Sequence, residues 1–163
     1  MTLAGRVHRF GDNVTTDDVI AGKYKHRTID PEELSEHLME NVRPGFRAQV
    51  SGGDFLVAGT NFGCGSSREQ APQIIKHVGI AAVVAESFAR IFFRNAINIG
   101  LLLVTCRTDG IDDGDDLVYD PVEHAISVPA KGIARSTSYV PDDIRAIVDA
   151  GGLLQYVRAN GGL

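Results

Sequence analysis

Two adjacent serines, an arginine and three glycines fall within one dozen residues, Gly59-Thr-Asn-Phe-Gly-Cys-Gly-Ser-Ser-Arg-Glu-Gln70. Gly63 and Gly65 admit backbone conformations and close approaches denied to other residues. A helix starting near Ser67 would aim free N–H groups and a positive dipole end at this loop. An anion, or an alkoxide formed on Ser66, would be stabilised there. The planar fork of Arg68 suits a carboxylate in bidentate fashion. The same letters also fit plain structure, because Ser66 with Glu69, or Ser67 with Gln70, has the spacing of a capping box. The loop alone leaves both readings open. It does not match a Walker loop, which requires Gly-Lys-Ser/Thr, or the Gly-x-Ser-x-Gly elbow of hydrolases.

A second polar segment reads Gly11-Asp-Asn-Val-Thr-Thr-Asp-Asp-Val-Ile20, followed by Lys23-Tyr-Lys-His-Arg-Thr28. Asp17-Asp18 suits a solvated pair, a cation site or cap-and-loop chemistry. Lys23, Lys25 and Arg27 alternate as an exposed basic strip would, and His26 reads as solvent-facing. Cys64 and Cys106 are the only cysteines, too few for a disulfide framework or for the roughly four thiolates that hold an iron–sulfur cluster.

The elements that must position these residues follow from hydrophobic periodicity. Residues 55–59 and 80–85 are short apolar runs suited to buried strands, and 101–105 begins a third. Between them, residues 67–77 and 87–99 carry helical spacing, with Ala71, Ile74, Ile75 and Val78 on one buried face. In the second helix Phe88, Ile91, Phe92, Ala96 and Ile99 form the apolar stripe, while Arg90, Arg94 and Asn98 share another face. Gly79 and Gly100 suit helix ends. Two strand–helix–strand crossovers in succession predict parallel pairing in an α/β core. Beyond an acidic turn at 109–116, residues 117–119 and 125–128 read as a hairpin. Pro141 with Asp142 and Asp143 opens a helix over 141–148, interrupted by Gly151-Gly152 before residues 153–157. Nearer the N-terminus, residues 6–9 suit a strand and 30–39 a helix capped by Asp30. Residues 11–28 read as a long polar loop, which in a compact domain points to function or disorder.

The chain has 163 residues, 44% hydrophobic and 23% charged, the composition of one ordinary globular domain spanning 1–163. Its net charge of −5, from 21 acidic and 16 basic residues, lacks the basic footprint of a nucleic-acid binder. No apolar run is long enough for a membrane span and no secretory signal pattern opens the sequence, so a cytoplasmic protein is expected.

Three ordered segments, residues 11–20, 59–71 and Ser87-Phe-Ala-Arg-Ile-Phe-Phe-Arg-Asn-Ala-Ile-Asn-Ile-Gly100, resemble the swivelling domain of the aconitase family. The form is that of the separately encoded small subunits of isopropylmalate dehydratases. The resemblance implies a swivelling β/β/α domain: a mixed or parallel sheet core flanked by helices, with a C-terminal β-hairpin and helix. It implies a hydro-lyase that shifts a hydroxyl between adjacent carbons of a small di- or tricarboxylate, active only with a large subunit. That partner's cysteines would hold a 4Fe–4S cluster. Ser66 would be the base that takes the carbon-bound proton, Arg68 a carboxylate clamp, and Asp17 the acid that orients an arginine or a partner histidine. Ser67 and the Gly65 backbone would face substrate, and Arg27 with Thr28 would sit in a substrate-selecting loop. There the sequence departs from the pattern, with a charged pair where one aliphatic residue is expected. An arginine suits a further carboxylate, as in homoaconitate, whereas an isopropyl group wants an apolar pocket. The implied reaction is isopropylmalate isomerisation in leucine biosynthesis, with homoaconitase and dimethylmalate or citraconate-type dehydratase as alternatives. A non-catalytic dicarboxylate-binding module is the reading of another class.

Overall fold

The computed structural model describes residues 1–24 and 26–161; Lys25, the middle of the expected basic strip, lies outside them. Seven strands form one mixed sheet: β1 (Leu3–Arg9), β2 (Phe55–Val57), β3 (Ala82–Ala85), β4 (Leu103–Thr105), β5 (Asp116–Asp120), β6 (Ala125–Val128) and β7 (Ile133–Ser136). Their spatial order is β4-β3-β2-β1-β5-β6-β7. The first four pair in parallel, with Val7 beside Phe55, Leu56 beside Val83 and Val83 beside Leu103. β5, β6 and β7 continue from β1 as antiparallel neighbours. The two ends of the sheet approach each other, since the Ser138 N–H donates to the Thr105 carbonyl at 2.8 Å.

The central strands are buried on both faces, which is why they read as continuous apolar runs. The pleat sorts their side chains alternately. Phe55, Val57, Ala82, Val84 and Val104 join Val7, Leu117, Tyr119, Ile126 and Val128 in the core inside the curled sheet. Leu56, Ala58, Val83, Ala85 and Leu103 face the helices. The crossovers are α3 (Gln70–His77) and α4 (Arg90–Ile99). Two short helices, α1 (Thr16–Val19) and α2 (Pro31–Ser35), precede them; α5 (Asp142–Asp149) and α6 (Leu153–Asn160) follow the sheet. No helix among the described residues is long and apolar enough to cross a membrane.

The structure departs from the sequence-based reading in several places. The helix after the glycine loop begins at Gln70, three residues late, and neither of the capping boxes its spacing allows forms: Glu69 holds the cap position without a side-chain bond. The expected loop over 11–28 contains α1, closed at its start by a capping box between Thr15 and Asp18. Asp30 does cap α2, but regular helix ends at Ser35 rather than near residue 39. The expected C-terminal hairpin gains a third strand, β7, while the helix expected over 141–148 and the segment expected after Gly151-Gly152 are present as the pair α5 and α6. Gly151-Gly152 divides that pair for a packing reason: a Cβ on Gly152 would lie 2.6 Å from the Asn98 carbonyl oxygen. Lys76 completes this junction by donating to the Ile99 and Gly151 carbonyls.

Candidate functional site

The two polar motifs lie side by side and are joined along their whole length. Asp12 accepts from the Thr60 N–H at 2.8 Å, and the Asn13 N–H donates to the Thr60 carbonyl at 2.8 Å. The Gly63 N–H donates to Val14 (2.7 Å) and the Thr16 N–H to Cys64 (2.9 Å). The Thr16 hydroxyl then donates to the Ser66 carbonyl at 2.8 Å. The series ends on the ion pair of Arg68 with Asp17, whose guanidinium also donates to the Ile20 carbonyl at 3.0 Å. The third motif closes the loop from the other side. The Phe62 N–H donates to Ser87 (3.0 Å) and the Ala89 N–H to Phe62 (2.9 Å), and the Phe62 and Phe92 rings pack edge to face.

Gly63 is required here. It adopts φ +83°, and a Cβ would lie 2.2 Å from Phe92 Cγ. The chain can therefore cross the aromatic cluster only without a side chain.

These contacts frame a cavity of about 290 Å³ lined by Thr16, Gly63, Gly65, Ser66, Ser67 and Arg68 on one side and by residues 89–92 and Asn95 on the other. Gly65, Ser66 and Ser67 are exposed. No acidic side chain lines the cavity. The helix terminus that faces it belongs to α4, whose cap Ala89 makes no side-chain bond, and not to α3 as the sequence suggested. Arg68 is 13% exposed at its side chain. One nitrogen, Nη1, is committed to Asp17 and Ile20; a Cβ on Gly22 would lie 3.1 Å from Nη2, and Nε is buried without a partner among the described residues.

The structure thus brings Ser66, Ser67, Gly65 and Arg68 together, with Asp17 behind Arg68. It does not bring Arg27 or Thr28 to the cavity lining. Arg27 is exposed, its guanidinium 5.8 Å from the centre of the Tyr24 ring, and the Thr28 hydroxyl accepts from the Asp30 N–H. His26 is exposed as expected. Sequence reasoning did not assign Thr16, Arg90, Ile91 or Asn95 to the site. Arg90 was read only as sharing a helix face with Arg94 and Asn98, Asn95 carried no signal, and Ile91, assigned to the buried stripe, is 49% exposed at the rim. Thr16 stood out only as a neighbour of Asp17.

The chain's thiols do not fit a metal cluster. Burial pushes the Cys106 thiol up to about 11, the opposite of the thiolate a cluster needs. Cys64 lies in the glycine loop, its Sγ against the Val14 carbonyl. No group of three His, Cys, Asp or Glu residues suited to a metal ion occurs among the described residues.

The sequence profile of the aconitase C-terminal domain matches residues 9–109. A 3-isopropylmalate dehydratase small subunit from Archaeoglobus fulgidus is 49% identical over 95% of this chain and 96% of its own length. A methanogen homoaconitase small subunit from Methanothermobacter thermautotrophicus is also 49% identical, over 94% of this chain and 89% of its own. The crystal structure of a 3-isopropylmalate dehydratase from Methanocaldococcus jannaschii superimposes with a TM-score of 0.94 at 46% identity, covering 99% of this chain and 96% of that one. With the three motifs converging on one cavity and relatives of this similarity matching nearly end to end, the chain belongs to the aconitase family, alongside its separately encoded small subunits.

Proposed function

We propose that this chain, acting as one swivelling domain, is the small subunit of a hydro-lyase that interconverts 2- and 3-isopropylmalate by dehydration and rehydration. The observation that carries the reading is the acid-free cavity in which Ser66, Ser67 and Arg68 stand together beside an uncapped helix end. Ser66 Oγ accepts the carbon-bound proton and returns it during rehydration. Arg68 holds a substrate carboxylate; with Nη1 engaged and Nε buried, Nη2 is the nitrogen left to donate to it. Asp17 orients that guanidinium, while Ser67 and the Gly65 N–H face the substrate. The large subunit carries the 4Fe–4S cluster, which supplies Lewis-acid assistance to the leaving hydroxyl when bound.

Magnitudes argue that the partner is needed for more than the cluster. A helix end contributes up to about 2 kcal/mol in a partly buried setting, and each pKa unit costs about 1.36 kcal/mol. The α4 terminus alone therefore supplies only a small part of what a serine hydroxyl needs to act as a base. Enclosure of the cavity by the large subunit would strengthen every such interaction.

The second reading is a homoaconitase-type substrate. It is favoured by the exposed Arg27 in the expected selecting loop and by relatives carrying both names at equal identity. Reconstitution with the cognate large subunit tests both. Hydration of the isopropylmalate-derived alkene is expected, and its loss in Ser66→Ala. Turnover confined to tricarboxylates would select the second reading, and a fully active Ser66→Ala complex would remove Ser66 as the base.

A further inference from the structure

Ser66 stands in the least supported part of its loop. Residues 65–68 have no regular structure, α3 begins only at Gln70, and Gly65 lies at φ +96° immediately before the serine. A glycine in that conformation is a pivot, and nothing in residues 65–69 themselves would hold the serine at one angle. The one side-chain bond made to Ser66 among the described residues comes from fifty positions earlier, where the Thr16 hydroxyl donates to its carbonyl at 2.8 Å.

Thr16 is built for such a task. It is 2% exposed, and its β-branched side chain has restricted rotamer freedom in a helix. Its own backbone is fixed at both groups. The N–H donates to Cys64 and the carbonyl accepts from Ile20. The capping box of Thr15 and Asp18 locks the turn, and Val19, fully buried, accepts from the Met39 N–H. Thr16 therefore holds the loop at Cys64 and Ser66, the two carbonyls that flank the Gly65 pivot. Its neighbour Asp17 holds Arg68. Two consecutive residues of α1 thus bracket the two side chains that the proposed chemistry requires.

We propose that Thr16 is a positioning residue for Ser66. By fixing the Ser66 carbonyl it sets the plane of the Ser66–Ser67 peptide, which is rigid and trans, and so the direction of the Ser67 N–H; with the Cys64 carbonyl held on the other side of Gly65, it narrows the directions open to the Ser66 Cα–Cβ bond. The inference rests on Ser66 being the proton acceptor. A misplacement of about 1 Å at a reacting group can cost roughly 100-fold in rate, whereas carboxylate binding by Arg68, held separately by Asp17 and Ile20, is not disturbed by loss of the Thr16 hydroxyl.

The test uses the reconstituted complex with Thr16→Val, which keeps the shape and removes the donor, Thr16→Ser, which keeps the donor, and Ser66→Ala. Thr16→Val is expected to lower kcat by about 10- to 100-fold with KM within about threefold. It should also raise the kinetic isotope effect for substrate deuterated at the carbon that loses the proton. Thr16→Ser is expected to recover most of the turnover. Wild-type kcat in Thr16→Val, with Ser66→Ala inactive, overturns the inference alone. An active Ser66→Ala overturns the reading beneath it. Parallel losses in kcat and KM with a collapsed Tm, unrescued by Thr16→Ser, reduce Thr16 to a structural residue and also overturn the inference.

Discussion

Replacing Gly63 with alanine measures how firmly the glycine loop is held against α4. The position has φ +83°, and an added Cβ would sit 2.2 Å from Phe92 Cγ and 2.4 Å from its Cβ. Phe92 is 1% exposed and packed edge to face on Phe62 with ring centres 5.2 Å apart, so any retreat breaks that packing. The left-handed conformation costs a non-glycine residue about 1–2 kcal/mol, and forcing a methyl into a packed core about 1–3 kcal/mol more. Their sum, roughly 2–5 kcal/mol, corresponds to a Tm lowered by about 4–20 °C at 2–4 °C per kcal/mol for a chain of this size. Gly45→Ala is the matched control. Its φ is +75°, yet an added Cβ meets nothing within 4 Å, so only the conformational part applies and a drop of roughly 2–8 °C is expected. Thermal unfolding followed by circular dichroism on both variants separates the two costs. If Gly63→Ala falls no further than Gly45→Ala, the close approach of loop and helix is not what requires glycine at this point.

Two other expectations follow from the ion pairs. Arg68→Lys leaves a compact ammonium without the planar fork that spreads donors between Asp17 with the Ile20 carbonyl and a substrate carboxylate. Losing one charged hydrogen bond of about 1.5–3 kcal/mol should lower kcat/KM of the complex by roughly 10- to 150-fold, and steady-state kinetics showing less than a threefold change would argue against the clamp. Asp54, 6% exposed, shares a 2.7 Å hydrogen bond with buried His8 and accepts from the Ser51 N–H. Burial works to raise its pKa, but the bonds from Ser51 and His8 prevail and hold it below the ordinary 3.8. Its stabilisation is therefore complete above that ordinary value and is lost as pH falls through the lower folded-state value. Asp54→Asn should cost about 1–3 kcal/mol at pH 7, with the gap to wild type closing below about pH 4; a gap independent of pH would contradict the assignment.

How much of this was legible in the sequence depended on the range of the interactions. The buried strands were, because burial on both faces writes Phe55-Leu-Val and Ala82-Val-Val-Ala as unbroken apolar runs. Asp30 and Gly100 were, because caps act within one helical turn. The start of α3 was misread because Ser66-Ser67 has a capping-box spacing, yet the Ser66 carbonyl is engaged by Thr16, and this tertiary contact prevailed over the local signal. β7 escaped notice because its residues alternate between exposed and half-buried, leaving Ile133 as its one large apolar side chain. Thr16 and Arg90 could not be singled out from their neighbours, since what distinguishes them is what faces them across the fold.

The same contrast separates the frame of the site from its working surface. Residues 62 and 63 are buried and bonded to two other segments, whereas 65–67 are exposed and Ser66 is held from outside the loop at one carbonyl. A free-standing enzyme would gain by covering such residues, since an exposed serine acts in a high dielectric where its interactions with substrate are weak. The rim adds Ile91, an apolar side chain left half in water beside the exposed Arg90. Rigid support beneath and an open, acid-free surface above is the arrangement expected of half a site, in which this chain supplies position and the proposed large subunit supplies enclosure.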